Sequence, residues 1–301
     1  MPRNKRKNKT FYFTLKSLVI FHALLVRILV MTSGGVSAEN NVAVSNTATT
    51  EALTEPHVDV RDDDDGKTID MHSTMTTRSE VHPRIYNGTE VDPPGKYPFV
   101  VNIFEYEYIT YGNKINKCGG SLIYPNVVLT AAHCVDPAVS GIRVRIGRHH
   151  LHEEEEEEAD AEEFGILTVV IHPDYINSSI PPRYDMALLV LDGTSKYGTI
   201  ALDDGISYPL SSGGAVNIVG WGKMESGIHS PVLLHTEIEY LPNDQCRNYC
   251  GNYIYDDSLC LFTADSGKGA CNGDSGGPAF KNNPEDQMPF VQIGVASWGL
   301  A

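Results

Sequence analysis

The chain has 301 residues, 39 acidic against 23 basic side chains and a formal net charge of −16. Such an excess of negative charge is repelled by phosphate backbones, which argues against a nucleic-acid partner. A hydrophobic fraction of 41% with 21% charged residues excludes a disordered or fibrous polymer, and the length allows about two domains.

The N-terminus carries a basic head at Arg3, Lys5, Arg6, Lys7 and Lys9, then an apolar stretch from Leu18 to Met31 broken by His22 and Arg27. Val36-Ser37-Ala38 supplies the small residues of a cleavage site, so residues 1–38 read as a secretory signal peptide. A membrane anchor would need ~20 apolar residues, and this run is shorter and has Arg27 near its centre. The expectation is a secreted, extracellular protein without a membrane partner, in which cysteines can pair. Residues 39–84 are rich in Thr, Val, Asp, Glu, Ser and His and hold no cysteine, the composition of a flexible pro-segment rather than a domain. The run Arg61-Asp62-Asp63-Asp64-Asp65-Gly66-Lys67 within it reads as a solvated acidic stretch.

Beyond Tyr97 short alternating strands dominate. Ile142-Arg143-Val144-Arg145-Ile146 alternates cleanly, as does Thr236-Glu237-Ile238-Glu239-Tyr240. Clusters such as Asp203-Asp204-Gly205 and Ser211-Ser212-Gly213-Gly214 mark turns between them, and no long helical period follows the signal. An all-β fold is expected.

Three segments carry chemistry. Val128-Leu129-Thr130-Ala131-Ala132-His133-Cys134 places a histidine after an apolar run, next to a cysteine that can anchor it. Histidine is the side chain suited to act as a neutral base near pH 7. Tyr184-Asp185-Met186-Ala187-Leu188-Leu189-Val190-Leu191 puts one carboxylate at the head of an apolar strand, where a buried aspartate can orient an imidazole. Cys271-Asn272-Gly273-Asp274-Ser275-Gly276-Gly277-Pro278 is too rich in glycine for a regular element and reads as a tight loop. Its serine hydroxyl could attack a carbonyl while loop N–H groups hold the oxyanion.

The chain order His133, Asp185, Ser275 resembles that of the chymotrypsin family, the trypsin-like secreted serine endopeptidases. The resemblance runs from Ile85 to Ala301. It also rests on Ile85-Tyr86-Asn87-Gly88, Cys118-Gly119-Gly120-Ser121-Leu122-Ile123 and Ser297-Trp298-Gly299. It implies two antiparallel β-barrels, residues 85–200 and 201–301, with the site in the cleft between them. Ser275 then matches the nucleophile, His133 the general base and acid, and Asp185 the orienting carboxylate. The N–H groups of Gly273 and Ser275 match the oxyanion hole, and Ser297 a residue that supports the aspartate. Cleavage between Arg84 and Ile85, by an activator with basic specificity, would free an α-amino group to pair with Asp274. The resemblance also implies bridges Cys118–Cys134 and Cys246–Cys260, leaving Cys250 and Cys271 over.

The family continues for about one more strand and a closing helix past the Ser-Trp-Gly segment, so the second barrel is expected to be incomplete, with an open edge. Gly269, Ser297 and Gly299 match positions of the specificity pocket. Where trypsins hold an aspartate for basic side chains, this chain has Gly269, which implies a chymotrypsin-like preference. The run Gly267 to Asp274 is similar to arthropod chymotrypsin-like enzymes. Polypeptide substrates and protein inhibitors are the implied partners. The alternative is a catalytically silent homologue that binds a partner.

Nine acids fall between Glu153 and Glu163, where the family has a loop that often binds calcium. A homopolymer run rarely fixes a coordination geometry, so a solvated charge run is favoured and no metal or other cofactor is expected. His149, His150 and His152 read as a solvated surface cluster. Of the two sequons, Asn177-Ser178-Ser179 is the better glycan acceptor than Asn87-Gly88-Thr89, which adjoins the activation site.

Overall fold

The computed structural model describes residues 9–14, 88–106, 114–135, 141–151, 158, 160–204, 210–224, 226–263, 269–270, 272–283 and 289–300. All belong to one compact unit. The rest of the leader, the pro-segment, Arg84, Ile85 and Cys271 lie outside the described residues. None of the described helices is long and apolar enough to cross a membrane.

The strands in chain order are β1 (Lys9–Thr14), β2 (Thr89–Glu90), β3 (Val100–Tyr106), β4 (Lys114–Tyr124), β5 (Val127–Thr130), β6 (Ile142–Ile146), β7 (Glu162–Phe164) and β8 (Ile166–Ile171). After them come β9 (Ala187–Leu191), β10 (Ala201–Leu202), β11 (Ala215–Gly220), β12 (Leu234–Tyr240), β13 (Ser258–Thr263), β14 (Pro278–Asn282) and β15 (Phe290–Leu300). The first sheet has seven strands in the order β7-β6-β3-β4-β5-β9-β8. The second runs β1-β13-β12-β11-β14-β15-β10, with β2 on β12 and β1 pairing β15 as well as β13. This is the expected all-β architecture, two sheets that are antiparallel except where β10 runs parallel to β15.

The alternation seen in the sequence sets the faces. Along β12, Leu234, Thr236 and Ile238 are buried while Glu237 and Glu239 are exposed. Leu234 and Ile238 join Val216, Ile218, Leu259, Leu261 and Ile293 in the core of the second barrel. β9 is buried at every residue and pairs antiparallel with β5 and β8 along its two edges. β6 departs from its own pattern: Arg145 is buried, with its guanidinium 4.7 Å from the Phe104 ring centroid and 2.9 Å from Glu163 Oε2. Cation–π attraction and the ion pair offset the desolvation of that charge.

The second sheet closes on itself through β1. Lys9 to Thr14 pair in antiparallel register with Thr263 to Ser258, and Thr10 to Thr14 pair with residues of β15 from Leu300 to Val295. An extended segment there satisfies the unpaired backbone groups of both β13 and β15, the edge left open by the sequence reading. The segment that does so falls inside the stretch read as a signal peptide.

Two disulfides match the expected pairs. Cys118–Cys134 joins β4 to the short turn carrying His133, with Cα atoms 6.1 Å apart. Cys246–Cys260 ties helix α1 (Asn243–Cys250) to β13, and Cys250 is a buried free thiol. The barrels meet across an aromatic cluster in which Phe99 packs edge-on to Phe280 at 5.4 Å and Tyr97 packs on Phe290 at 5.3 Å. Ser121 Oγ also donates to Gln292 Oε1 at 2.6 Å across the junction. These contacts fix the relative position of the two halves of the cleft.

Candidate active site

Asp185 is fully buried and precedes β9. Tyr184, just before it, has φ +50°, a left-handed conformation that a bulky residue seldom adopts. The surroundings hold it there: the Tyr184 N–H donates to Asp257 Oδ2 at 3.1 Å, and its ring stacks on His172 at 5.3 Å. The kink turns the Asp185 carboxylate toward His133. Oδ1 accepts the His133 backbone N–H at 2.9 Å, and Oδ2 lies 2.7 Å from His133 Nδ1 and 2.6 Å from its donor Ser297 Oγ. Burial is the largest single influence on this carboxyl and pushes its pKa up. The His133 hydrogen bond and charge, with the Ser297 and backbone hydrogen bonds, outweigh it and hold the pKa below the usual value. Asp185 is therefore ionised near neutral pH and fixes the imidazole with hydrogen on Nδ1. That leaves Nε2 free to accept a proton.

The serine turn is built from its glycines. Gly276 has φ +80°, and a Cβ there would lie 2.2 Å from Thr130 Oγ1 and 2.4 Å from the Gly119 carbonyl. Only glycine lets the turn approach the Thr130–Ala131 segment just before His133. The Gly119 N–H donates to the Ser275 carbonyl at 2.7 Å, and the Gly276 N–H to the Ala296 carbonyl at 2.7 Å. The end of β15 thus bonds both halves of the site: Ala296 holds the serine turn and Ser297 holds Asp185. Gly273, with φ +100°, opens the turn. Asp274, 4% exposed, points away from the cleft and accepts the Gly222 N–H at 2.8 Å. A Cβ at Gly222 would fall 2.1 Å from Asp274 Oδ2.

His133, Asp185, Ser275, Gly273 and Ser297 are thus brought to one place. Ser275 and His133 are not in hydrogen-bond contact: His133 Nε2 lies 3.7 Å from Cys134 Sγ instead. Such contacts are often long before substrate binds and shorten in the complex. Of the pocket positions, Gly269 is buried, Ser297 is 9% exposed and Gly299 is exposed.

A trypsin family model matches residues 85–301. The chain belongs to the trypsin family. This trypsin-family chain is similar to serine protease 28 of Mus musculus, 34% identical over 257 residues, which cover 77% of the chain and 86% of that protein. It is 31% identical over 233 residues to serine protease Hayan of Drosophila melanogaster, covering 72% of the chain and 35% of the fly protein. Serine proteinase stubble, also of Drosophila melanogaster, is 30% identical over 218 residues, covering 68% of the chain and 27% of that protein. The chain spans most of the mouse relative and about a third of the fly ones.

Two sequence expectations change. His149 is no solvated surface residue: it is 5% exposed, its Nε2 lies 2.9 Å from Glu90 Oε1, and its carbonyl accepts the Trp221 Nε1–H at 2.9 Å. The Glu153–Glu163 run is only partly solvated: Asp160 and Glu163 are exposed, but Glu158 and Glu162 are half-buried. Glu158 accepts the N–H groups of His149 and His150 and pairs with Arg148 at 2.8 Å, Glu162 accepts from Ser195 and Lys196, and Glu163 pairs with Arg145. The sequence reading missed Thr130, Gly222, Asn116 and His229, which shape the turn or its surroundings. Gly222 stands in Gly220-Trp221-Gly222, but its need for a bare Cα shows only once Asp274 lies against it. Asn177 is exposed, as a glycan acceptor should be.

Proposed function

We propose that this chain is a secreted serine endopeptidase, made as a zymogen and switched on by cleavage between Arg84 and Ile85. The observation that carries the reading is the buried Asp185, which holds His133 by two hydrogen bonds beside the Ser275 turn. In the reaction, Ser275 Oγ attacks the peptide carbonyl as His133 Nε2 takes its proton. The Gly273 and Ser275 N–H groups receive the developing oxyanion. His133 then returns the proton to the leaving amine, which departs and leaves an acyl-enzyme on Ser275. Water, deprotonated by His133, attacks the ester; His133 returns that proton to Ser275 Oγ as the acyl–oxygen bond breaks and the carboxylic acid product leaves. Asp185 stays ionised throughout and stabilises the imidazolium.

Asp274 supports the zymogen reading. A buried carboxylate beside the nucleophile suits pairing with the ammonium freed at Ile85, and such a pair is costly when one partner is lacking. Gly269 supports the chymotrypsin-like preference, because it offers no carboxylate to a basic side chain. The protein donors around Glu158, Glu162 and Glu163 support a loop that needs no calcium. The basic head and apolar stretch of the leader support secretion, and removal of the leader would take β1 from between β13 and β15; polypeptide substrates, an activating protease and protein inhibitors follow from the activity.

The test is labelling with a fluorophosphonate before and after trypsin cleavage at Arg84. The expected result is stoichiometric labelling of Ser275 only after cleavage, with turnover of a peptide bearing Phe, Tyr, Leu or Met before the scissile bond. A folded, cleaved sample that neither labels nor turns over would instead make the chain a silent binding homologue.

A further inference from the structure

The peptide unit that carries the Gly273 N–H is held from outside the serine turn. Its carbonyl end, Asn272 C=O, accepts the Lys223 N–H at 2.8 Å. In a planar trans peptide the N–H points opposite the C=O, so this bond sets the direction of the Gly273 N–H. On the other side of the peptide, Gly273 packs against the His229 ring: a Cβ there would lie 2.4 Å from His229 Cε1 and 2.8 Å from its Nδ1. His229 belongs to the same loop as Lys223, with which it forms an isolated bridge.

The ring is pinned. His229 Nδ1 is 3.0 Å from the Trp221 carbonyl and 3.1 Å from the Asn116 side-chain amide. In the Nδ1–H tautomer the ring donates to the Trp221 carbonyl, in the other it accepts from Asn116 Nδ2, and Asn116 Oδ1 accepts from Asn102 Nδ2. Asn116 is braced by a 2.5 Å amide–amide contact with Asn102 of β3. The half-buried imidazole thus joins β4 of the first barrel to the Trp221 loop of the second, at the point where that loop meets Gly273. None of this is needed to hold Asp185 or His133, which have their own partners.

We propose that His229 is a positioning residue for the oxyanion hole, wedged between Asn116, Trp221 and Gly273 so that the Asn272–Gly273 peptide keeps its N–H turned toward the reacting carbonyl. The inference rests on the proteolytic reading above. Without the imidazole, Gly273 gains space on the side that now blocks rotation of this peptide, and a glycine with φ +100° has little of its own to resist it.

The test uses the full chain cleaved at Arg84, with wild type, His229→Ala and His229→Gln compared per fluorophosphonate-titrated site. His229→Ala is expected to lower kcat about tenfold with KM unchanged, a fraction of the roughly 10²–10³ lost when an oxyanion donor is removed outright. Affinity for a peptide aldehyde, whose adduct bears the same oxyanion, should fall by a like factor. His229→Gln, which keeps a planar amide able to donate to Trp221 O, should recover most of both. If kcat per titrated site and aldehyde affinity stay at wild-type values in His229→Ala, the proposal is overturned. It is equally overturned if the only change is a smaller titratable fraction with a lower melting temperature, since that marks a structural role. A cleaved wild type with no turnover would bring down the proteolytic reading, and this inference with it.

Discussion

The two halves of the site are built differently. On the first-barrel side, Asp185 and His133 are joined by two hydrogen bonds, closed from behind by Ser297 and locked by the Cys118–Cys134 bridge. On the second-barrel side, Ser275 makes no hydrogen bond to His133, and its turn is shaped by what glycines leave out: Gly273, Gly276 and, behind them, Gly222. The imidazole is thus oriented by buried polar contacts. The serine is oriented by backbone packing, which a modest shift of the turn can open or close. Regulation by cleavage is easier to build on the second kind of support than on the first, because a turn can reorder without unpairing a buried carboxylate.

Substitutions can separate the two supports. Ser275→Ala should give the largest effect, a loss of about 10⁶ in kcat on a peptide substrate with folding intact. Asp185→Asn should come next, near 10⁴ in kcat, because the amide keeps the shape but favours the wrong imidazole tautomer. A loss of less than tenfold there would mean that the base is not oriented as the hydrogen bonds suggest. Gly222→Ala probes the other side: its Cβ must displace the Asp274 carboxylate, and overpacking of this kind typically costs about 1–3 kcal/mol. Labelling of Ser275 should slow while the Asp185–His133 pair is untouched, which NMR of the His133 Nδ1 proton can check.

Ser297→Ala should have a smaller effect. It removes one of three hydrogen bonds to a buried carboxylate, about 1.5–3 kcal/mol in urea unfolding, and kcat should fall far less than in Asp185→Asn. The smallest effect concerns His172, 1% exposed beneath the Tyr184 kink. Burial holds its pKa below the usual histidine value, against the opposing pull of Asp174 and Asp257. The unfolded chain therefore takes up the proton first as pH falls below ~6.5, so the stability contributed by neutral His172 is present above that pH and lost below it. Melting temperatures should drop as pH falls below ~6.5, and His172→Gln should flatten part of that slope. His235, whose pKa is also lowered mainly by burial, accounts for some of the remainder.

Much of the site was legible because its chemistry is local in sequence. His133 beside Cys134, Asp185 heading an apolar strand and Ser275 among glycines each announce a role within a few residues, and the alternation of β12 announces its faces. What could not be read depends on distant segments meeting. His149 looked like one of three solvated histidines, but Glu90 and Trp221 enclose it. Arg145 looked outward-facing, but Phe104 and Glu163 cover it. The edge between β13 and β15 looked open, but the backbone of Lys9–Thr14 fills it, a pairing with no signal in either segment because strand partners are chosen by register and vacancy.

The sequence by itself determined the all-β class and the identity and order of His133, Asp185 and Ser275, and its resemblance to the family implied the two disulfides. Residue type and spacing suffice for the three side chains, since each acts through its own functional group. Only the tertiary structure decided how those groups are held. The left-handed kink at Tyr184, the glycines pressed against Thr130 and Asp274, and the His229 ring against Gly273 arise where separate parts of the chain compete for the same space. Close packing between distant segments has no local signature, and here it is what orients the serine turn.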